Sequence, residues 1–189
     1  MLVVDDAHFA DAADKLESAG FRKCTWSFGS VDPAFYDDSS VKKTIYRRIV
    51  RDYGNLDQHS ARFFFPPPKD GSAKVVLLPS SYAHAQPGAA VHSPDGSCED
   101  NITFPDSTRL LQSFVQTLVR EPVEGQWTST LGLWAVSYLY GELMLEDNLL
   151  DNLEDEKARA WFDENIRRYT GGMDRQRTKR FGRLGYDGP

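Results

Sequence analysis

Leu2-Val3-Val4-Asp5-Asp6-Ala7-His8-Phe9, continued by Ala12-Ala13, Leu16 and Gly20-Phe21, decides the fold at the start of the chain. Three apolar residues, two of them β-branched, predict a short strand. Asp6 is placed to cap a helix beginning near Ala7, because its carboxylate can accept from an open N–H of the first turn. Phe9, Ala12, Ala13, Leu16 and Ala19 recur at helical spacing, and Gly20 supplies the stop. From Phe21 to Phe28 the pattern alternates, Cys24, Trp26 and Phe28 facing one way and Lys23, Thr25 and Ser27 the other, which predicts a half-buried strand.

Outward from this unit, 29–40 is rich in Asp, Ser, Gly and Pro and reads as a loop. Val41, Ile45, Ile49 and Val50, with Tyr46 and Tyr53, predict an amphipathic helix whose wet or ligand-facing side carries Lys42, Lys43, Arg47, Arg48 and Arg51. Arg62–Phe65 and Lys74–Leu78 are strand candidates, and Asp70-Gly71 between them favours a tight reversal, so a hairpin is expected. Ser80 to Asn101 reads as a long polar loop. Beyond it the texture turns helical. Asp106 precedes a stripe of Leu110, Leu111, Phe114, Val115, Leu118 and Val119; Trp127–Glu146 is apolar nearly all round; Asp155–Tyr169 places Ala158, Trp161, Phe162, Ile166 and Tyr169 on one face. The expected class is α+β: an α/β N-terminal half with a small mixed sheet over 1–104, a helical subdomain over 105–172, and a basic tail over 173–189, packed as one compact unit.

The 189 residues suit a single domain able to bury a core without staples. Hydrophobic residues at 40% and charged residues at 26% exclude disorder, collagen and coiled coil. Lys and Arg number 22 against 28 Asp and Glu, a balance of 22 − 28 = −6 that argues against a general nucleic-acid binder. No stretch has the basic-then-apolar form of a signal peptide and none is long enough to span a bilayer, so the expectation is a soluble, cytoplasmic protein with no membrane partner. Two cysteines, Cys24 and Cys98, are too few to imply a disulfide framework.

Motifs for chemistry are sparse. No phosphate-cradling glycine pattern is present. Ser80, Ser81, His84, His92 and Asp95 lack the setting of a nucleophile elbow, and a loop rich in Ser and His is the simpler reading. His84 and His92 would make a metal site only if their loop folded them together, since no two histidines have helical ligand spacing. Acids fill Glu142–Glu156 and bases fill Arg175–Arg183, either as a docking tail or as self-complementary surface. Asp5 and Asp6 end a strand, where a carboxylate pair can hold a divalent ion; adjacent residues point to opposite faces, however, so helix capping explains Asp6 better.

The run from Leu2 to Phe21 resembles part of the nucleotidyltransferase fold. Arg62-Phe63-Phe64-Phe65-Pro66-Pro67, Val76-Leu77-Leu78-Pro79-Ser80-Ser81-Tyr82 and the closing Gly182-Arg183-Leu184-Gly185-Tyr186 are similar to uncharacterised fungal proteins of that assignment. The resemblance implies metal-dependent nucleotide transfer by carboxylates at i, i+2 on a strand, joined by a third on a later strand. Here the Gly-Ser turn and the paired carboxylates have no counterpart, and Val75-Val76-Leu77-Leu78 holds no acid where the third is expected. The implied protein is a shortened member without its metal site: a non-catalytic domain that binds a small molecule or protein, with no cofactor. Asp5, Asp6, Arg47 and Arg62 are its candidate ligand-binding residues. Two alternatives stand beside it. One is an active transferase using Mg²⁺ and a nucleoside triphosphate through ligands not yet recognised, such as Asp5 and Asp6 with Asp37-Asp38. The other is an interaction module that pairs an exposed strand edge with another chain, including a homodimer.

Overall fold

The computed structural model describes residues 1–30, 34, 40–67, 73–86, 104–137, 145–146 and 148–167. It is a mixed α+β protein whose contacts separate into two units: Met1–Phe104 with Glu121–Thr130, and Pro105–Arg120 with Leu131–Pro189.

In the first unit β1 (Leu2–Val4) leads through a single 3₁₀ turn, Asp6–His8, into α1 (Phe9–Ser18). The cap is Asp5 rather than the expected Asp6: its Oδ1 accepts the Ala7 N–H at 2.9 Å. With the strand ending at Val4, Asp5 is the residue that keeps extended backbone, and only there does the side chain lie back over the following turn. α1 stops where predicted. Gly20 takes φ 85°, and the Phe21 and Gly20 N–H groups close back onto the Leu16 and Glu17 carbonyls at 3.0 Å each. This is the left-handed ending that a residue with a Cβ adopts only under strain.

β2 is Arg22–Lys23 alone, not the strand to Phe28 that alternation predicted. The Cys24 N–H still reaches the Arg62 carbonyl at 2.7 Å, and the chain then leaves the ladder. The alternating aromatics anchor a loop instead: Trp26 lies on Phe64 at 5.2 Å, and Phe28 meets Tyr53 and Trp127 at 5.7 and 5.9 Å. Packing against separate neighbours reproduces the period of a strand without its hydrogen bonds.

α2 (Ser40–Asp52) and α3 (Gly54–His59) precede β3 (Ala61–Phe64) and β4 (Lys74–Pro79). β3 and β4 pair antiparallel as the expected hairpin, Ala61 opposite Leu77 and Phe64 opposite Lys74, while Asp70-Gly71 lies outside the described residues. β1 runs parallel to β4 with Val4 opposite Pro79, giving a small mixed sheet in the order β1-β4-β3-β2. Leu56, Phe63, Leu77 and Trp127 are fully covered at the centre of this unit. The stripe predicted for α2 is mostly in solvent, with Val41 66% and Ile45 48% exposed; its buried residues are Ile49 and Asp52. Asp52 is spent on the fold. It takes two bonds from Arg51, at 2.7 and 2.9 Å, and the Gln126 N–H at 3.3 Å. A Cβ on Gly125 would stand 2.7 Å from the Asp52 Cγ, so the close approach requires glycine there.

After β4 a single helical turn, α4 (Ser80–Ala83), occupies the start of the expected loop; 87–103 lies outside the described residues. In the second unit α5 (Ser107–Arg120) begins with Asp106 Oδ1 accepting the Arg109 N–H at 2.9 Å. α6 (Gln126–Leu133) starts in the first unit and passes into a wider turn over 134–137. It is not buried all round as a central helix would be, since Leu133 is 61% exposed. α7 (Glu156–Phe162) continues as a π turn, Asp163–Arg167. Leu111 and Val115 from α5 meet Ala158, Phe162 and Ile166, spaced four apart, in a core shared with Ala135 and Leu150. The acidic stretch is partly neutralised within this unit: Asp155 pairs with Arg120 at 2.6 Å, and Arg167 bridges Asp151 and Asp163. The basic run 175–183 lies outside the described residues. No described helix is long and apolar enough to cross a membrane.

Asp155 is also the N-cap of α7, accepting the Lys157 and Ala158 N–H groups at 3.1 and 3.2 Å. Burial works to raise its pKa, but those N–H groups and Arg120 win and hold the carboxyl below its ordinary value. Such a group stabilises the fold above the unfolded carboxylate pKa, and the contribution is lost as pH falls through the folded one. Asp155→Ala is therefore expected to cost about 1–2 kcal/mol at neutral pH. The gap from the parent should close in acid, which guanidinium melts across a pH series would measure.

Candidate functional site

The parallel strands β1 and β4 end side by side, and the chain leaves each through a helical turn. In open sheets the crevice beyond such carboxyl ends is where ligands collect. Asp5 and Asp6 stand there, but they do not act together. Asp5 is bound to the Ala7 N–H in its own segment. Asp6 reaches across to the β4 side, where its Oδ1 accepts the Ser81 N–H at 3.2 Å and the Ser80 hydroxyl at 3.4 Å. The Ser81 N–H, the larger influence, holds the Asp6 carboxyl below its usual value. The two neighbours point apart, as successive residues leaving a strand must.

One residue further, Tyr82 gathers a polar network from distant parts of the first unit. Its hydroxyl donates to Glu121 Oε1 at 2.6 Å and accepts from Trp127 Nε1 at 2.9 Å. Asn55 Nδ2 donates to the same carboxylate oxygen at 3.1 Å. The His59 ring stacks on Tyr82 with centroids 5.3 Å apart and planes 11° from parallel. His59 Nδ1 lies 2.8 Å from the Asn55 carbonyl. A carbonyl only accepts, so Nδ1 carries the proton and the neutral ring keeps Nε2 as an acceptor. Burial first, and then Glu121, push the Tyr82 hydroxyl upward, so it remains a donor at every working pH. His84, two residues on, takes left-handed φ 48°, a conformation that side chains rarely adopt and that the surrounding structure must hold.

The two arginines do not join this crevice. Arg47 stands exposed on α2. Arg62 is buried and held on all sides: Nη1 bonds the Asp57 carboxylate at 3.0 Å, the Asp57 carbonyl at 3.2 Å and the Ser60 hydroxyl at 2.8 Å, while Nε bonds the Trp26 carbonyl at 3.2 Å. The ladder puts Arg62 level with Val76, four residues and two strands from Asp5, a separation of about 16 Å at ordinary strand spacing. Arg62 is a strut for the loop over the sheet. Among the described residues no three His, Cys, Asp or Glu side chains come together as a metal site; Asp37, Asp38, His92 and Asp95 lie outside them.

The sequence signalled Asp5 and Asp6 but not the Tyr82 network. Glu121 and Trp127 are 39 and 45 residues from Tyr82, and each reads locally as a helix end or a core aromatic. Only the run Ser80-Ser81-Tyr82 lies near it. Tyr82→Phe is expected to cost about 1–3 kcal/mol, because Glu121 loses a donor and the Trp127 N–H an acceptor in a half-buried place. A chemical melt beside Glu121→Gln would show it, the double variant losing less than the sum.

No family model, no curated protein and no solved structure matches this chain.

Proposed function

We propose that this chain is a non-catalytic binding domain, cytoplasmic and nucleotidyltransferase-like in the order of its opening elements. It takes a small molecule or a protein at the carboxyl ends of β1 and β4 and needs no metal. The single observation that carries this reading is the engagement of Asp5 and Asp6. Metal-assisted nucleotide transfer requires carboxylates that converge on shared ions and neutralise charge developing on the phosphate. Here each carboxylate already accepts from a different turn. What the crevice offers instead is the exposed imidazole of His59, braced flat on Tyr82, beside the Ser80 and Ser81 turn. That is a rigid aromatic and hydrogen-bonding surface, suited to recognition.

The test is release and transfer from ATP, GTP, CTP and UTP with Mg²⁺ on the full chain, alongside Asp5→Asn and Asp6→Asn. The expected result is no turnover above buffer in any of the three proteins. Turnover by the parent that either substitution abolishes would overturn the reading.

A second reading, a strand-pairing interaction module, has one observation in its favour. Among the described residues β1 pairs only with β4 and leaves its other edge unpaired, with Leu2 exposed. A strictly monomeric protein over a wide concentration range would count against self-pairing.

A further inference from the structure

The apolar and the basic sides of α2 are both open to solvent over its first two turns. Five of the chain's 22 lysines and arginines, Lys42, Lys43, Arg47, Arg48 and Arg51, fall in this helix with no acid between them. Its first turn holds no acid either. Lys42 and Lys43 stand there instead, where the positive end of the helix dipole disfavours a cation. Asp52, which closes α2, is buried and engaged by Arg51 at 2.7 Å and Arg48 at 3.6 Å. Lys43 and Arg47 are exposed and have no ion pair among the described residues.

Residues four apart on a helix stack into rows. Val41 and Ile45, 66% and 48% exposed, make an apolar row in line with the buried Ile49. That row begins in solvent and ends in the core. Thr44 and Arg48 make the next row and Lys43, Arg47 and Arg51 the third, all of them exposed. An apolar ridge beside basic ones fits a second helix of opposite charge, whose own ridges at the same spacing enter the grooves between them. An extended anionic surface suits α2 less well. A bilayer or a nucleic-acid duplex meets the whole chain, whose net charge is −6. A short acidic segment lies within about 8 Å of α2, the screening length at physiological salt, and meets its cations alone.

We infer that the exposed face of α2 is a docking surface for an acidic amphipathic helix of a partner protein. Val41 and Ile45 take its apolar side, and Lys43 and Arg47 take its carboxylates. Arg47, which stands apart from the crevice, has its role here. No residue of the crevice at β1 and β4 takes part, so this inference stands or falls separately from the function proposed above.

The experiment is an anisotropy titration of the full chain with a labelled alanine-based helical peptide, carrying two leucines four apart beside a row of three glutamates. Saturable binding is expected. It should weaken about tenfold or more in the double variant Lys43→Glu, Arg47→Glu, and about fivefold in Ile45→Ser. All three positions are exposed, so the variants should melt with the parent. A peptide with lysines in place of the glutamates should bind the double variant better than the parent, a reversal that lost structure would not produce. The glutamate peptide in scrambled order should bind at least about fivefold more weakly than the ordered one. No saturation, or binding indifferent to the charge reversal, would overturn the inference. So would a phosphatidylserine vesicle or a DNA duplex that binds as tightly as the peptide, because α2 would then read charge alone.

Discussion

Arg62→Met is expected to destabilise the protein by about 3–5 kcal/mol, the range for breaking a buried ion pair from one side. The side chain is 8% exposed and serves four acceptors drawn from Trp26, Asp57 and Ser60. Methionine fills much of the same volume but donates nothing. It would leave the Asp57 carboxylate with the Phe28 N–H at 2.8 Å and two backbone carbonyls short of a donor. Against a typical total of about 5–15 kcal/mol, that loss brings the domain close to unfolding. Guanidinium melts with an unchanged slope would measure it. Combining Arg62→Met with Asp57→Leu should cost less than the two singles added, because the second change removes the stranded charge. A loss under about 1 kcal/mol for Arg62→Met would mean the guanidinium is solvated and open to ligand, as an exposed ion pair is.

Trp127→Ala should be comparably severe, at about 3–5 kcal/mol for emptying a large aromatic site. The indole is 2% exposed and stands 5.9 Å from Phe28 and 6.2 Å from Tyr53 by ring centres. Its N–H reaches the Tyr82 hydroxyl at 2.9 Å, so one side chain joins the aromatic packing to the polar network. Trp127→Phe separates the two roles. It keeps most of the packing and removes the donor, and is expected to cost about 1–2 kcal/mol. Equal losses for the two variants would assign the whole effect to the hydrogen bond and contradict the packing account.

The contrast between these residues shows what the chain order makes legible. α1, α5 and α7 were readable because a helix writes its sheltered face at fixed spacing and its ends in Asp and Gly; Asp106, Asp155 and Gly20 all sit where such signals belong. α2 forms where the spacing placed it, but most of its apolar stripe is exposed. The β3–β4 hairpin was readable for the same local reason. Trp26 and Phe28 misled because a loop pinned by two aromatics carries the same period as a strand, and only the missing partner hydrogen bonds distinguish them. Arg62, one of the candidate ligand contacts, is buried, although an arginine is usually found in water. Its acceptors come from positions 26, 57 and 60, and nothing in a linear reading assembles them. The Tyr82 network was illegible on the same ground: its members lie on α3, on α4 and in the segment from 121 to 127. Asp5 and Asp6 were found, and the adjacency that argued against a shared ion is what sends them to different turns.

Whether those two carboxylates are structural is best decided by thermal-shift titration with ATP, GTP, CTP and UTP, each with and without Mg²⁺, on the parent and on Asp6→Asn. A nucleotide held at a hundred times its Kd adds about 2.7 kcal/mol, or about 5–11 °C in a chain of this size. The account predicts that any shift is the same with and without Mg²⁺, and that Asp6→Asn lowers the starting melting temperature without changing the nucleotide response. A rise that requires Mg²⁺ in the parent and disappears in Asp6→Asn would contradict it, and would make Asp6 a metal ligand.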